Sequence, residues 1–154
     1  RTAVGEANVA AAMQSSGNPL VGGEGNGGVI FPKVCWVRDS LSAMALVLSL
    51  LAKENRPLSA IVEDLPKYAM IKKKVDLADV GGRAAIAPAI EAITHGYPDA
   101  EVNTSDGVRI DFADGWVHVR PSNTEPIMRI IAEAESEVRA TTLIQDAMAK
   151  AGLG

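Results

Sequence analysis

Cysteine is almost missing from this chain. Cys35 is the sole one among 154 residues, so no internal disulfide forms and cysteine-built zinc clusters are excluded. That usage suits a reducing cytoplasm. Positive charge is also in short supply: 15 Lys and Arg stand against 19 Asp and Glu, for a net charge of −4. Such a balance leaves no overall field for nucleic acid or an anionic membrane surface. The one run of like charge, Lys72-Lys73-Lys74, reads as a solvated or edge-strand segment. Long hydrophobic runs are absent as well. Residues 41–52 form the most apolar helical stretch, well short of the ~20 residues that span a bilayer. No signal peptide, internal repeat or low-complexity segment is found. The opening Arg1 in place of Met is expected of a trimmed, cloned or proteolysed product.

What is present is globular. Hydrophobic residues make up 47% and charged residues 22%, in the range of a folded domain rather than a disordered one. The length fits one domain or two small ones. A short helix is expected over residues 7–13, with strands at Leu20-Val21 and Val29-Ile30-Phe31 around a glycine-rich loop. Asp39 or Ser40 caps a helix over residues 41–53. That helix is apolar nearly all round, with Leu41, Met44 and Leu48 on one side and Leu46, Val47 and Leu50 on the other. Such helices are buried on both faces, and a half-domain offers too few partners, so an upstream portion is expected.

Asn55-Arg56-Pro57 is a turn and marks the expected boundary between units 1–56 and 57–154. A connecting helix over 58–65, a strand over 68–75 and a helix over 79–94 follow, with Pro88 kinking or restarting the last. Val108, Ile110 and Phe112 alternate with Arg109 and Asp111, the period of a half-buried strand. Asp114-Gly115 is expected to turn the chain. Trp116, His118 and Arg120 then share one face of the returning strand while Val117 and Val119 face the core. Met128, Ile130 and Ala132 form the core side of a third strand, and a helix over 136–151 ends at Gly152. The expected fold class is α+β: about four mainly antiparallel strands carrying two helices, preceded by part of an α/β domain.

Two loops carry chemistry. In Arg120-Pro121-Ser122-Asn123-Thr124-Glu125-Pro126, a guanidinium, two hydroxyls, an amide and several backbone N–H groups lie close together. Arg offers a planar fork matching phosphate oxygens, and a tight turn aims successive N–H groups into one anion-binding concavity. A plain polar turn has the same composition. Arg129 in the next strand reaches the same anion if the strands pair; its other partners would be Glu133 or water. His118 is adjacent, as an acid or base or as a structural strand histidine. In Gly22–Ile30, Glu24 and Asn26 sit among glycines, suited to vicinal hydroxyls of a sugar or to a flexible connection.

Arg-Pro-Ser-Asn-Thr-Glu-Pro, preceded by Asp114-Gly115-Trp116-Val117-His118-Val119 and followed by Arg129, resembles the phosphate-binding loop of the alpha-D-phosphohexomutases. These are the phosphoglucomutase, phosphomannomutase and phosphoglucosamine mutase enzymes. Gly23-Glu24-Gly25-Asn26-Gly27-Gly28 resembles their sugar-binding loop, most often Gly-Glu-x-Ser-Gly-His, with Asn26 at the Ser position and Gly28 at the His position. Arg38-Asp39-Ser40 resembles the Arg-Asp-Gly that follows. The resemblance runs over nearly the whole chain. Family enzymes are roughly three times this length and have four domains, so residues 1–56 correspond to the back of domain three and 57–154 to domain four.

The resemblance implies an intact enzyme interconverting hexose 1- and 6-phosphates through a phosphoserine and a hexose 1,6-bisphosphate intermediate, aided by Mg2+. It implies that Glu24 and Asn26 hold sugar hydroxyls, and that Arg120, Ser122, Asn123, Thr124 and Arg129 hold the non-reacting phosphate. Neither the family's serine loop nor its Asp-rich metal loop occurs in this chain. Asp106, Asp111 and Asp114 are spread over a hairpin and read as turn and surface residues rather than hard-metal ligands. The expected partners are a hexose phosphate and the missing N-terminal domains, with no nucleic acid and no membrane, and a hinge is expected near Arg56-Pro57. A stand-alone phosphate-binding or regulatory module is the alternative, and a purely structural protein a third.

Overall fold

The computed structural model describes residues 1–122 and 124–153, and the chain divides into two compact units after Pro66. In the first, helix α1 (Glu6–Ser15) is followed by a two-stranded antiparallel hairpin of β1 (Gly22–Gly23) and β2 (Val29–Ile30). Leu20 and Val21, expected as a strand, lie outside it and are exposed. The pairing falls on the glycines instead, because a side chain at Gly23 would stand 2.5 Å from the carbonyl oxygen of Gly28. Helix α2 (Ser40–Glu54) begins at Asp39, whose carboxylate accepts from the N–H groups of Leu41 and Ser42 at 3.3 and 2.9 Å. This satisfies two of the donors that a helix start leaves open. Asn55 closes the helix in the left-handed region at φ 50°. Helix α3 (Leu58–Glu63) follows. The apolar faces of α2 lie largely uncovered: Leu41 is 71%, Leu48 64% and Met44 53% exposed.

The second unit is α+β. Strands β3 (Ala69–Asp76), β4 (Glu101–Asn103), β5 (Val108–Phe112), β6 (Gly115–Pro121) and β7 (Ile127–Ala134) form one antiparallel sheet in the order β3-β7-β6-β5-β4. That is one strand more than the sequence pattern predicts. Three residues of β4 are too few to display a period of two. The lysine run lies on β3, an edge of the sheet, with all three side chains exposed. Helices α4 (Ile86–His95) and α5 (Glu137–Ala151) cover one face. The stretch before α4 forms two 3₁₀ turns, Leu77–Val80 and Gly82–Ala85, so the single helix expected from residue 79 is divided. Pro88 falls in the first turn of α4, where its missing N–H costs nothing.

Between helices and sheet, Ile93, Val108, Ile110, Val117, Val119, Met128, Ile130 and Ala132 are fully buried. The β5–β6 turn uses Ala113 and Asp114, with Gly115 already in the strand opposite Phe112. Gly115 serves a close approach rather than the turn, since a Cβ there would lie 2.5 Å from Glu133 O. Ser136 Oγ accepts from Arg139 N to open α5, and Gly152 at φ 66° closes it. One face of the sheet is thus a packed core, and period two forces the alternate residues of β3, β5, β6 and β7 onto the other.

Candidate functional site

The loop between β6 and β7 is anchored at both ends. Ser122 N donates to Ile127 O at 2.9 Å, and Pro126 O accepts from Leu77 N at 3.0 Å. Within it the N–H groups of Thr124 and Glu125 converge on one point, which Ser122 Oγ occupies at 3.4 and 3.3 Å. Thr124 Oγ1 lies 3.5 Å from the same oxygen. Two N–H groups and two hydroxyls therefore meet at Ser122, whose Oγ takes up both N–H donors. Asn123 lies outside the described residues.

Strand pairing brings the arginines together. Arg120 on β6 and Arg129 on β7 are direct cross-strand partners, so their side chains leave the same face beside this turn. The Arg120 side chain is only 12% exposed, and its Nε lies 3.2 Å from Asp106 Oδ1. That is an ion-pair distance without hydrogen-bond alignment, since this Nε has no hydrogen-bond partner among the described residues. The Asp106 turn is itself pinned. Its carbonyl accepts from His118 Nε2–H at 2.6 Å, and Gly107, at φ +69°, packs where a Cβ would stand 2.3 Å from Val119 O. His118 therefore holds the turn beside Arg120.

Arg129 donates to Glu125 Oε2 at 2.6 Å. Glu133, the alternative partner, is not the one it takes: at ~3.3 Å rise per residue, four residues along a strand separate them by about 13 Å. Glu133 instead accepts from its cross-strand partner, Trp116 Nε1, at 3.2 Å. Of the three aspartates read as turn and surface groups, Asp106 and Asp114 do lie on turns, and Asp111 proves to be a strand residue in a sheet-face ion pair. Asp106 faces Arg120, and Asp111, inside β5, is gripped by Arg109 Nε and Nη2 at 2.7–3.2 Å. Arg109 in turn stacks on the Trp116 ring at 4.0 Å. Asp114 receives Arg139 Nε at 2.7 Å, and that hydrogen bond holds its carboxyl below the usual carboxylate range. Sequence reading missed Asp106 as the counter-ion of Arg120, because their proximity arises from docking of the β4–β5 turn and leaves no trace in spacing.

In the first unit the glycine-rich loop is held by its own polar groups. Glu24 accepts from Gly5 N at 2.9 Å, and Asn26 Oδ1 accepts from Gly28 N at 2.9 Å. Asn26 lines an open cleft of about 580 Å³ together with Glu6, Gly28, Arg38, Asp39 and Met44. The Arg38 N–H, donating to Glu6 Oε1 at 2.6 Å, and then Arg38 Nε, donating to Oε2 at 2.8 Å, keep the Glu6 carboxyl below its ordinary value. A Cβ at Gly28 would fall 2.1 Å from Arg38 Cδ. The Arg38 stem thus fills the space that a side chain at position 28 would need.

Among the described residues there is no grouping of three or more His, Cys, Asp or Glu fit to hold a metal ion. Among the same residues, no helix is long and apolar enough to cross a membrane.

Comparison with known proteins places these features. Residues 60–151 match the family described as phosphoglucomutase/phosphomannomutase, C-terminal domain, and residues 1–68 match its alpha/beta/alpha domain III. The chain is 41% identical over 143 residues to a probable phosphoglucosamine mutase of Methanopyrus kandleri, covering 93% of this chain and 31% of that protein. It is 40% identical over 147 residues to a phosphoglucomutase/phosphomannomutase of Thermococcus kodakarensis, covering 94% and 31%. A phosphoglucomutase/phosphomannomutase family protein from Burkholderia thailandensis of known crystal structure superposes with a TM-score of 0.75 at 27% identity, covering 98% of this chain and 32% of that one. The chain thus spans about a third of the length of the relatives it matches. It belongs to the phosphoglucomutase/phosphomannomutase family.

Proposed function

We propose that this chain is the substrate-holding C-terminal part of a phosphohexomutase that interconverts hexose 1- and 6-phosphates by way of a bisphosphorylated sugar. The observation that carries the proposal is the meeting of Arg120 and Arg129, in register on adjacent strands, with a turn whose Thr124 and Glu125 N–H groups converge beside Ser122. Arginine forks and converging N–H groups are the chemistry that a phosphomonoester requires. Asn123 joins the clamp on the strength of the sequence motif.

In such a reaction the clamp holds the phosphate that does not react. The substrate binds in two flipped orientations, so one fixed site receives the 6-phosphate in one and the 1-phosphate in the other. Binding energy gathered there orients the reacting end. In the first unit, Asn26 and Glu24 are assigned to sugar hydroxyls, with Asn26 on the cleft and Glu24 bracing the loop against Gly5. The phosphoserine and the magnesium-binding loop would belong to the remaining length of the protein, as would the surface covering the apolar faces of α2. Magnesium supplies charge neutralisation in phosphoryl transfer. Hexose phosphate chemistry and a single unpaired cysteine favour the cytoplasm.

The test is a titration of the 15N-labelled chain with glucose 1-phosphate. Amide shifts are expected at residues 120–129, and Arg120→Ala should weaken binding by tenfold or more, since a charge-assisted hydrogen bond is worth about 1.5–3 kcal/mol. Unchanged affinity in Arg120→Ala, or shifts confined to other residues, would overturn the assignment.

A further inference from the structure

The phosphate site reads as a pair of arginines and a turn, but the sheet register extends the charged row by one strand. Lys74 on β3 is the direct cross-strand partner of Arg129, which is the partner of Arg120. Three cations therefore stand side by side on three adjacent strands. Alternation of side chains puts Lys74 and Lys72 on the face of Arg129, and Lys73 on the opposite one. Like charges directly opposite one another destabilise a sheet unless they share an anion.

The protein already displays such an anion. Glu125, from the phosphate turn itself, sets Oε2 2.6 Å from Arg129 Nη2 and Oε1 3.8 Å from Lys74 Nζ. One carboxylate thus spans both cations, and a phosphate held at the turn is offered the same two. Lys74 differs from its neighbour Lys72, which lies opposite the uncharged Ile131. Its side chain is 67% exposed. A lysine there is a mobile point charge, able to follow an anion that the more rigid guanidinium forks have oriented.

We propose that Lys74 is a third cation of the phosphate site, closing on the outer oxygens of a phosphomonoester dianion from the edge of the sheet. The proposal rests on the reading of the Ser122 turn as a phosphate clamp, and the experiment separates the two. Inorganic phosphate and glucose 1-phosphate are titrated into the chain by calorimetry at several salt concentrations. Lys74→Gln should weaken both ligands about fivefold, as expected for a charge-assisted contact partly screened by water. It should also flatten the salt dependence, whereas Lys74→Arg stays within about twofold of the parent. Lys72→Gln, one row away on the same face, should likewise stay within about twofold. Equal weakening by Lys72→Gln and Lys74→Gln would reduce the effect to a general field and overturn the proposal. So would parental affinity in Lys74→Gln while Arg120→Ala still abolishes binding; in that case the clamp stands without Lys74. Insensitivity to Arg120→Ala would overturn both.

Discussion

Replacing Gly107 with alanine is the sharpest test of how Arg120 is held. Gly107 ends the β4–β5 turn at φ +69°, and a Cβ built there would lie 2.3 Å from Val119 O and 2.8 Å from Arg120 Cα. Both are backbone atoms of β6, the middle strand of the sheet. They cannot rotate away as the end of a flexible side chain would. Two penalties follow. A non-glycine residue in the left-handed region costs about 1–2 kcal/mol, and overpacking against a rigid neighbour about 1–3 kcal/mol. The expected loss is thus about 2–5 kcal/mol. For a unit of about ninety residues, each kcal/mol shifts Tm by roughly 4–8 °C, so the melting transition of the second unit should fall by at least about 8 °C. Scanning calorimetry of the parent and Gly107→Ala measures it. Gly107→Asn separates the two causes, because Asn tolerates positive φ yet keeps the Cβ. A shift under about 3 °C in Gly107→Ala, or near-parental melting of Gly107→Asn, would refute the close-approach argument. With it would go the claim that this turn positions Asp106 against Arg120.

Two further outcomes are expected. Restoring the family's usual histidine in Gly28→His should drive the Arg38 stem from its place and break its contact with Glu6. The cost is about 1 kcal/mol, at the low end for overpacking because a flexible side chain can yield. The change is read from the Arg38 Nε–H resonance, and Gly28→His with Arg38→Ala should recover the stability. Asp114→Asn tests the ion pair with Arg139. A carboxyl held below its ordinary value near 3.9 contributes stability that is complete above that pH and is lost as pH falls through the depressed value. Asp114→Asn should therefore be less stable than the parent in urea at pH 7, and the gap should close towards pH 2. A gap independent of pH would rule out the charge as its source.

The parts of the fold that could be read from the sequence are those where a strong period repeats over enough residues. Val117 and Val119, then Met128, Ile130 and Ala132, alternate unmistakably and are all fully buried. Their alternation also fixes Arg120 and Arg129 on the opposite face. Once β6 and β7 pair, the two arginines stand side by side. Three residues of β4 carry no such signal, and the glycines in β1 are spaced for backbone contact that only the partner strand reveals. Ion-pair choice was the least legible feature. Arg129 has Glu133 on its own strand and Glu125 across the bend at the same separation in sequence, and chain direction decides for Glu125. Asp106 meets Arg120 only because Gly107 allows its turn to lie against β6.

The two carboxylates beside the proposed phosphate site are not equivalent, and the difference bears on how that site would work. Asp106 is 22% exposed, sits on a turn fixed by His118 and Gly107, and faces an almost buried Arg120. It is placed to orient that guanidinium whether or not an anion arrives, as a fixed partner lowers the entropy lost on binding. Glu125 is 45% exposed, belongs to the Ser122 turn itself, and reaches the two cations nearer the sheet edge. In the proposed clamp, an incoming phosphate would compete with Glu125 for Arg129 and Lys74 while leaving the Asp106–Arg120 pair intact. Exchange of one anion for another at these outer cations preserves the local charge balance. Under the proposed mutase reading it would also keep phosphate affinity moderate, which suits release and recapture of the same sugar in the opposite orientation.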